Sequence, residues 1–203
     1  MRPRIRTRTP VRKAGQSPVF ETERLTLRPL TRHDVDALVD LHADPLVNRF
    51  VPAFSHEQAL RRLSEIESQW SERGHGLCAV HLRATGEFVG RCGLNHWPQF
   101  DEIEAGWSFK SAFWGRGYAT EAARAVLDWG FAQLSPPYVT AMIRPGNEAS
   151  VRVATRLGFT PLREDTFLGH RITVYALHAP YSPPSPFPFP SEPSGADDDP
   201  PRP

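Results

Sequence analysis

The sequence predicts a mixed α/β domain. Three observations carry that expectation. The hydrophobic period switches between helical and strand spacing several times along residues 19–178. Capping residues and glycines stand at the switches. The resulting order, β-α-α-β-β-β-α-β-α-β-β, interleaves the two element types around a sheet of about seven strands.

Taken in order, "RLTLRPL" (Arg24–Leu30) alternates apolar and polar residues as a half-buried strand does. Thr31 can cap the helix that follows, with Asp34 three residues on in a near capping box and Val35, Leu38 and Leu41 on the apolar stripe. Pro45 interrupts. Ser55 caps a second helix, along which Leu60, Leu63, Ile66 and Trp70 recur at helical spacing. The period then falls to two. "LCAVHLR" and "EFVGRCGLNHW" flank "ATG", which reads as a three-residue hairpin loop with Gly86 at positive φ. That register sets Leu82 opposite Phe88, Val80 opposite Gly90 and Cys78 opposite Cys92. A cross-strand disulfide is conceivable there, but in a reducing cytosol two small buried side chains are the better reading. "EIEAGWSF" (Glu102–Phe109) is a further strand, with Gly106 marking a bulge or a close backbone approach. A helix is predicted over Thr120–Gln133 and a strand over Tyr138–Ile143. Asn147 caps a last helix that ends at Gly158, and "FTPLRE" and Arg171–Leu177 are the terminal strands.

The 203 residues allow one domain with a substantial core. The net charge of +1 conceals an asymmetry. Residues 1–18 hold six basic residues and no acid, whereas residues 179–203 hold four acids and ten of the 21 prolines. Both ends are predicted to be disordered extensions flanking a folded body over 19–178. That body carries a net charge of −2, which speaks against a general DNA or RNA binder. The arginine-rich head leaves an RNA-tethered role as a minor alternative. No apolar run reaches 18 residues, so no membrane span is expected, and with no signal-peptide apolar segment the expected location is cytoplasmic. Two cysteines and eight scattered histidines make no metal motif, so no metal is expected.

The stretch "WGRGYAT" (Trp114–Thr120) places two glycines and an arginine between a strand and a helix. Unpaired N–H groups and the positive end of a helix dipole meet at such a point, and glycines let a phosphate approach the backbone. A tight turn that binds nothing is an equal reading of the local signal. A P-loop is excluded by the missing GxxxxGK[ST], and the dinucleotide pattern GxGxxG fails at Thr120.

The whole chain adds to this. Trp114–Ala119 resembles motif A, [QR]-x-x-G-x-[GA], of the GNAT superfamily of acetyl-CoA-dependent N-acetyltransferases. Trp114 departs from the usual Gln or Arg in the manner of the RimJ/RimL-like branch, the ribosomal-protein alanine acetyltransferases. "TERLTLRPLTRHDVDAL", "TGEFVGRCGL" and "NEASVRVATRLGF" (Asn147–Phe159) are similar to further segments of that branch, and the matches span residues 22–177. The resemblance implies the GNAT fold, a mixed sheet whose two parallel strands splay apart around the cofactor. Those strands would be Glu102–Phe109 and Tyr138–Ile143. It implies that the backbone of Trp107, Ser108 and Phe109 holds the pantetheine arm of acetyl-CoA. It implies that Gly115, Arg116, Gly117, Tyr118, Ala119 and Thr120 cradle the pyrophosphate, and that Asn147 hydrogen-bonds the arm. Ser150 would protonate the leaving thiolate, and Glu104 would act as general base, with Glu102 at the same strand parity as its rival. The acceptor would be an amine, a protein N-terminus or a small molecule. Its pocket is expected from Phe50–Phe54, the second helix and Asn95–Asp101, where Asp101, Glu102 and Glu104 would attract a cation. A homodimer is compatible with the resemblance. A non-catalytic acyl-CoA-binding module of the same fold is the alternative function.

Overall fold

The computed structural model describes residues 19–180. The expectations for the basic extension and for nearly all of the proline-rich tail lie outside the described residues.

A single sheet of eight strands runs through the domain in the order β1-β2-β3-β4-β5-β6-β8-β7. The strands are β1 (Phe20–Glu21), β2 (Leu25–Pro29), β3 (Leu77–Leu82), β4 (Phe88–Trp97), β5 (Glu102–Phe109), β6 (Tyr138–Ile143), β7 (Thr160–Phe167) and β8 (His170–His178). The extra strand is β1, two residues long and too short to show a period. The helices are α1 (Val35–Ala43), α2 (Pro45–Asn48), α3 (His56–Arg73), α4 (Tyr118–Leu134) and α5 (Glu148–Leu157). Pro45 does more than interrupt. It opens α2, where a missing N–H is harmless, and Asp44 caps that helix by accepting from Leu46 N–H at 3.0 Å.

Period-two alternation sorts the helices onto the two faces. Asn95 points to α3, where its Oδ1 accepts from Arg62 Nη2 at 2.9 Å. The preceding Leu94 points the other way, onto α4, so closely that a Cβ on Gly130 would lie 2.5 Å from Leu94 Cδ1. Thus α1 and α3 cover one face, and α4 with α5 the other.

The β3–β4 hairpin departs from its expected register. A bulge between Val80 and His81 sets His81 opposite Phe88, while Val80–Gly90 and Cys78–Cys92 pair as expected. The loop is correspondingly longer, closed by Leu82 N–H to the Glu87 carbonyl at 2.9 Å and Gly86 N–H to the Leu82 carbonyl at 2.8 Å. Both cysteines are free and buried. Burial pushes the Cys92 thiol up to about 12 and the Cys78 thiol well above its ordinary value. No bulge occurs at Gly106, where the β4–β5 register runs unbroken from Gly90–Phe109 to Trp97–Glu102.

Thr31 and Asp34 form their capping box around one 3-10 turn, and Asp34 then stands at the N-cap of α1. Its carboxylate is buried and accepts from Arg28 Nη1 and Nη2 at 2.8 and 2.6 Å and from Thr31 N–H at 2.9 Å. Burial pushes its pKa up, but the Arg28 and Thr31 bonds outweigh burial and hold it below its ordinary value. A carboxyl lowered on folding stabilises the fold above the unfolded pKa, about 3.9, and that contribution is lost as pH falls through the folded value. Asp34→Asn is therefore expected to cost about 1.5–3 kcal/mol at pH 7, toward the lower end because Arg28 is partly solvated. Urea unfolding at pH 7 and below pH 4 checks this, since the gap between the proteins should narrow in acid.

Candidate active site

The sheet opens between β5 and β6. They run parallel, yet only Glu104 and Thr140 are paired, with Thr140 Oγ1 donating to the Ile103 carbonyl at 3.2 Å. Past that pair the strands part, because β6 is drawn along six residues of β8 on its other side. The β5 edge from Trp107 to Phe109 is left facing no strand. Directly beyond it lies the glycine turn. Gly115 and Gly117 take φ of 75° and 79°, the left-handed region open to glycine at little cost. Gly117 is the N-cap of α4 and offers no side-chain cap, so the first N–H groups of that helix are left to other partners. Arg24 fastens the turn from outside. Its guanidinium bonds Glu121 at 2.7 and 2.6 Å and the Arg116 carbonyl at 2.9 Å, and it lies 4.7 Å from the Tyr118 ring centroid.

Two cavities meet at this opening. One, of about 290 Å³, is lined by Trp107, Ser108 and Phe109, by Gly115 and Gly117–Thr120, and by the start of α5 with Asn147 and Ser150. The other, of about 390 Å³, shares Trp107, Ser108, Asn147 and Ser150 and extends over the sheet to Glu104. Together they form one bent cleft with Ser150 at the elbow. Asn147 Oδ1 caps α5 by accepting from Ser150 N–H at 3.2 Å. The structure thus brings every residue expected to bind the cofactor or to act in catalysis to the cleft except Arg116. That side chain does not line the cavity and rests over the Phe113 ring, 5.6 Å from its centroid. The cavity's guanidinium groups come instead from Arg152 and Arg156 of α5, whose i, i+4 spacing was a readable signal of a shared helix face.

The residues at the turn fit an anionic cofactor. Thr120 Oγ1 is buried with no hydrogen-bond partner, on a residue that lines the cavity beside the uncapped N–H groups. A buried hydroxyl left unpaired is costly, and a phosphate oxygen would satisfy it. Trp114 has its own local role, its indole N–H donating to the Phe109 carbonyl at 2.7 Å.

The two candidate carboxylates part company. Glu102 is buried in a bidentate bond with Arg163, at 2.9 and 3.0 Å, and accepts from Tyr138 OH at 3.2 Å. Glu104 lines the larger cavity and accepts from Trp97 Nε1 at 2.5 Å, with no arginine paired to it. Burial pushes its carboxyl above the usual range, against the opposing pull of the Trp97 N–H and the Arg91 charge. The expected acidic acceptor pocket is corrected. Asp101 is 96% exposed beside His96, and Glu102 is neutralised by Arg163. Phe50–Phe54, α3 and Asn95 do line the larger cavity, as expected, but so do His42, Arg91, Arg144 and the β7–β8 turn. No motif or spacing in the chain points to these four.

The acetyltransferase (GNAT) domain family matches residues 24–160. The chain belongs to the GNAT family. The Bacillus subtilis protein YkkB is 38% identical to this GNAT chain over 144 residues, covering 68% of the chain and 82% of YkkB. An acetyltransferase structure from Agrobacterium tumefaciens is 36% identical, with a TM-score of 0.71, covering 83% of this chain and 98% of that one. The structure of RimL, a ribosomal L7/L12 alpha-N-protein acetyltransferase, in complex with coenzyme A superimposes with a TM-score of 0.66 at 19% identity, covering 77% and 95% of the two chains. At that identity the likeness to RimL is one of fold. The GNAT fold is therefore that of a mixed sheet with flanking helices. Among the described residues no helix is long and apolar enough to cross a membrane, and no group of His, Cys, Asp or Glu could hold a metal ion.

Proposed function

We propose that this GNAT protein transfers the acetyl group of acetyl-CoA to a primary amine. The observation that carries the proposal is the parting of β5 and β6 immediately beside an uncapped, glycine-flanked helix start, with the cleft continuing to Glu104. Acetyl-CoA supplies the activated acyl group as a thioester. The free backbone edge of Trp107–Phe109 holds the pantetheine arm as a further strand would. The N–H groups from Gly115 to Thr120 and the Thr120 hydroxyl bind the pyrophosphate, with Arg152 and Arg156 adding charge. Asn147 Nδ2, free because Oδ1 is the capping atom, donates to the arm at the elbow.

Glu104 takes one proton from the incoming ammonium, directly or through a water, and so exposes the nitrogen lone pair. Its raised pKa makes it a stronger base than an ordinary carboxylate. Ser150 Oγ stands at the elbow between the donor and acceptor arms and gives a proton to the departing sulfur. One N–C bond forms and one C–S bond breaks; Glu104 keeps the first amine proton, and the second, lost as the amide forms, restores the Ser150 hydroxyl through water. The reaction belongs in the cytoplasm, where Cys78 and Cys92 stay thiols although they face each other across β3 and β4.

Titration calorimetry with acetyl-CoA, followed by thiol release over a panel of amines, tests the proposal. Binding without turnover of any amine would identify a non-catalytic acyl-CoA-binding module instead. A sharper test of the seat is Thr120→Val, which keeps the shape and removes the unpartnered hydroxyl. Acetyl-CoA affinity is expected to fall about 3- to 15-fold, the worth of one hydrogen bond, with the melting temperature unchanged or raised. Unchanged affinity would place the phosphates elsewhere.

A further inference from the structure

The acceptor arm of the cleft holds a cation that the chemistry above does not use. Arg91 stands on β4 with its Cα opposite Ser108 of β5. Its guanidinium lies over Gly106, where a Cβ would stand 4.0 Å from Arg91 Nη1 and 3.9 Å from Glu104 Oε2. Burial and the nearby charge of Arg62 draw its pKa down to about 10, while Glu104 pulls the other way. Its one hydrogen-bond partner carries no charge. Arg91 Nε donates to His42 Nε2 at 3.4 Å, and His42 Nδ1–H is committed to the Pro52 carbonyl at 2.8 Å. Burial and Arg91 together push the His42 pKa down to about 3, so the ring stays neutral.

Among the described residues no carboxylate comes within 4.0 Å of the Arg91 guanidinium. Arg62, facing it from α3, is matched by Glu65 at 2.9 Å. Arg144 bonds the Phe50 carbonyl and the His170 ring and also lacks a carboxylate. The lining therefore sets two unmatched guanidinium groups against one unmatched carboxylate, Glu104. A half-buried charge without a paired counter-ion is only partly solvated, and a ligand that brings the counter-ion while expelling the cleft's water gains by pairing with it.

We propose that the acceptor is an amine that also bears a carboxylate, as an amino acid does, and that Arg91 binds the carboxylate while Glu104 receives the amine. This rests on the acetyltransferase reading and names its substrate class. The geometry favours a compact ligand, because Arg91 Nη1 and Glu104 Oε2 flank one point above Gly106. With those two atoms 4.0 and 3.9 Å from that point, a ligand bonding both at about 2.9 Å has its amine and carboxylate close together, as across the single carbon of an α-amino acid. The guanidinium fork suits two carboxylate oxygens at once. Gly106 keeps the floor bare where a side chain would stand between the two groups. A polyamine would set further ammonium groups against Arg91 and Arg144. A peptide N-terminus would offer Arg91 only a neutral carbonyl.

The experiment measures thiol release by the full chain with acetyl-CoA and sets of free amino acids, their amides and the corresponding decarboxylated amines. The free acids are expected to exceed both relatives in kcat/KM by about 10- to 100-fold, the range for a charged hydrogen bond. Arg91→Gln should erase that preference by slowing the acids more than the amides, with acetyl-CoA affinity unchanged, and Arg91→Lys should restore part of it. Equal rates for acid and amide in the unaltered protein overturn the proposal whether or not the variants fold. So does an Arg91→Gln protein that slows acid and amide alike. Turnover confined to amines without a carboxylate overturns the substrate class but leaves the acetyltransferase reading standing. Absence of acetyl-CoA binding overturns both.

Discussion

Glu104→Gln is expected to lower kcat by about two to four orders of magnitude, the usual worth of a positioned general base. The substitution keeps the size of the side chain and an oxygen for the Trp97 indole, so the cleft should hold its shape. It removes the carboxylate that takes the amine's proton. Acetyl-CoA affinity should change little, because Glu104 belongs to the acceptor arm and not to the cavity around the glycine turn. The pH profile gives the sharper readout. Activity needs ionised Glu104, so it rises with pH through the Glu104 pKa. Burial places that limb above the range of an ordinary glutamate, about 4.3. In the variant the limb should flatten. A variant with near-full kcat and an unchanged limb would falsify the assignment. The sign for stability is the reverse of Asp34. A carboxyl raised on folding favours the fold while protonated and loses that advantage as pH climbs through the folded value.

Gly117→Val is expected to weaken acetyl-CoA binding about a hundredfold or more, the loss of one or two charge-assisted hydrogen bonds. The space around the new side chain is not the obstacle to folding, since an added Cβ would meet only Arg24 Nη2, at 3.5 Å. The obstacle is φ of 79°, where a β-branched residue costs about 1–2 kcal/mol and tends to swing the backbone away. Swinging it re-aims the N–H groups of the turn. Gly86 supplies the control, with φ of 72° and open space around its Cβ position, in a hairpin loop that lines neither cavity. Gly86→Val should lose similar stability and keep its affinity for acetyl-CoA. Equal loss of affinity in both variants would reduce the turn to a structural device.

What could be read from the chain beforehand was local. Ser55 announces α3 and caps it as expected, and the structure adds a box with Gln58. Asn147 and Gly158 bracket α5. The glycine turn could be seen because its residues are contiguous. The choice between Glu102 and Glu104 could not be made that way. Parity puts both on one face, and what separates them is Arg163, which reaches Glu102 from β7 after the chain has crossed the sheet. Arg91 was invisible for a related reason. An arginine in a strand looks like a solvated charge until its neighbours are known, and its meaning here depends on a neutral histidine from α1 and on the lack of a carboxylate paired with it among the described residues. The missed bulge is a smaller instance, since the extra residue, Val89, lies at the hairpin end of β4, where only the His81–Phe88 pair follows to reveal the changed register.

With Glu104–Thr140 as the single ladder pair between β5 and β6, the sheet is two half-sheets, one of five strands and one of three, joined otherwise by side chains such as Glu102 with Tyr138 and Arg163. On the proposed reading the pantetheine arm lies in the seam and fastens both edges. Cohesion between the halves then follows donor supply, because a ligand that binds only the folded chain adds about 2.7 kcal/mol at a hundred times its dissociation constant. The gap that admits a substrate also makes the durability of the protein depend on the abundance of that substrate.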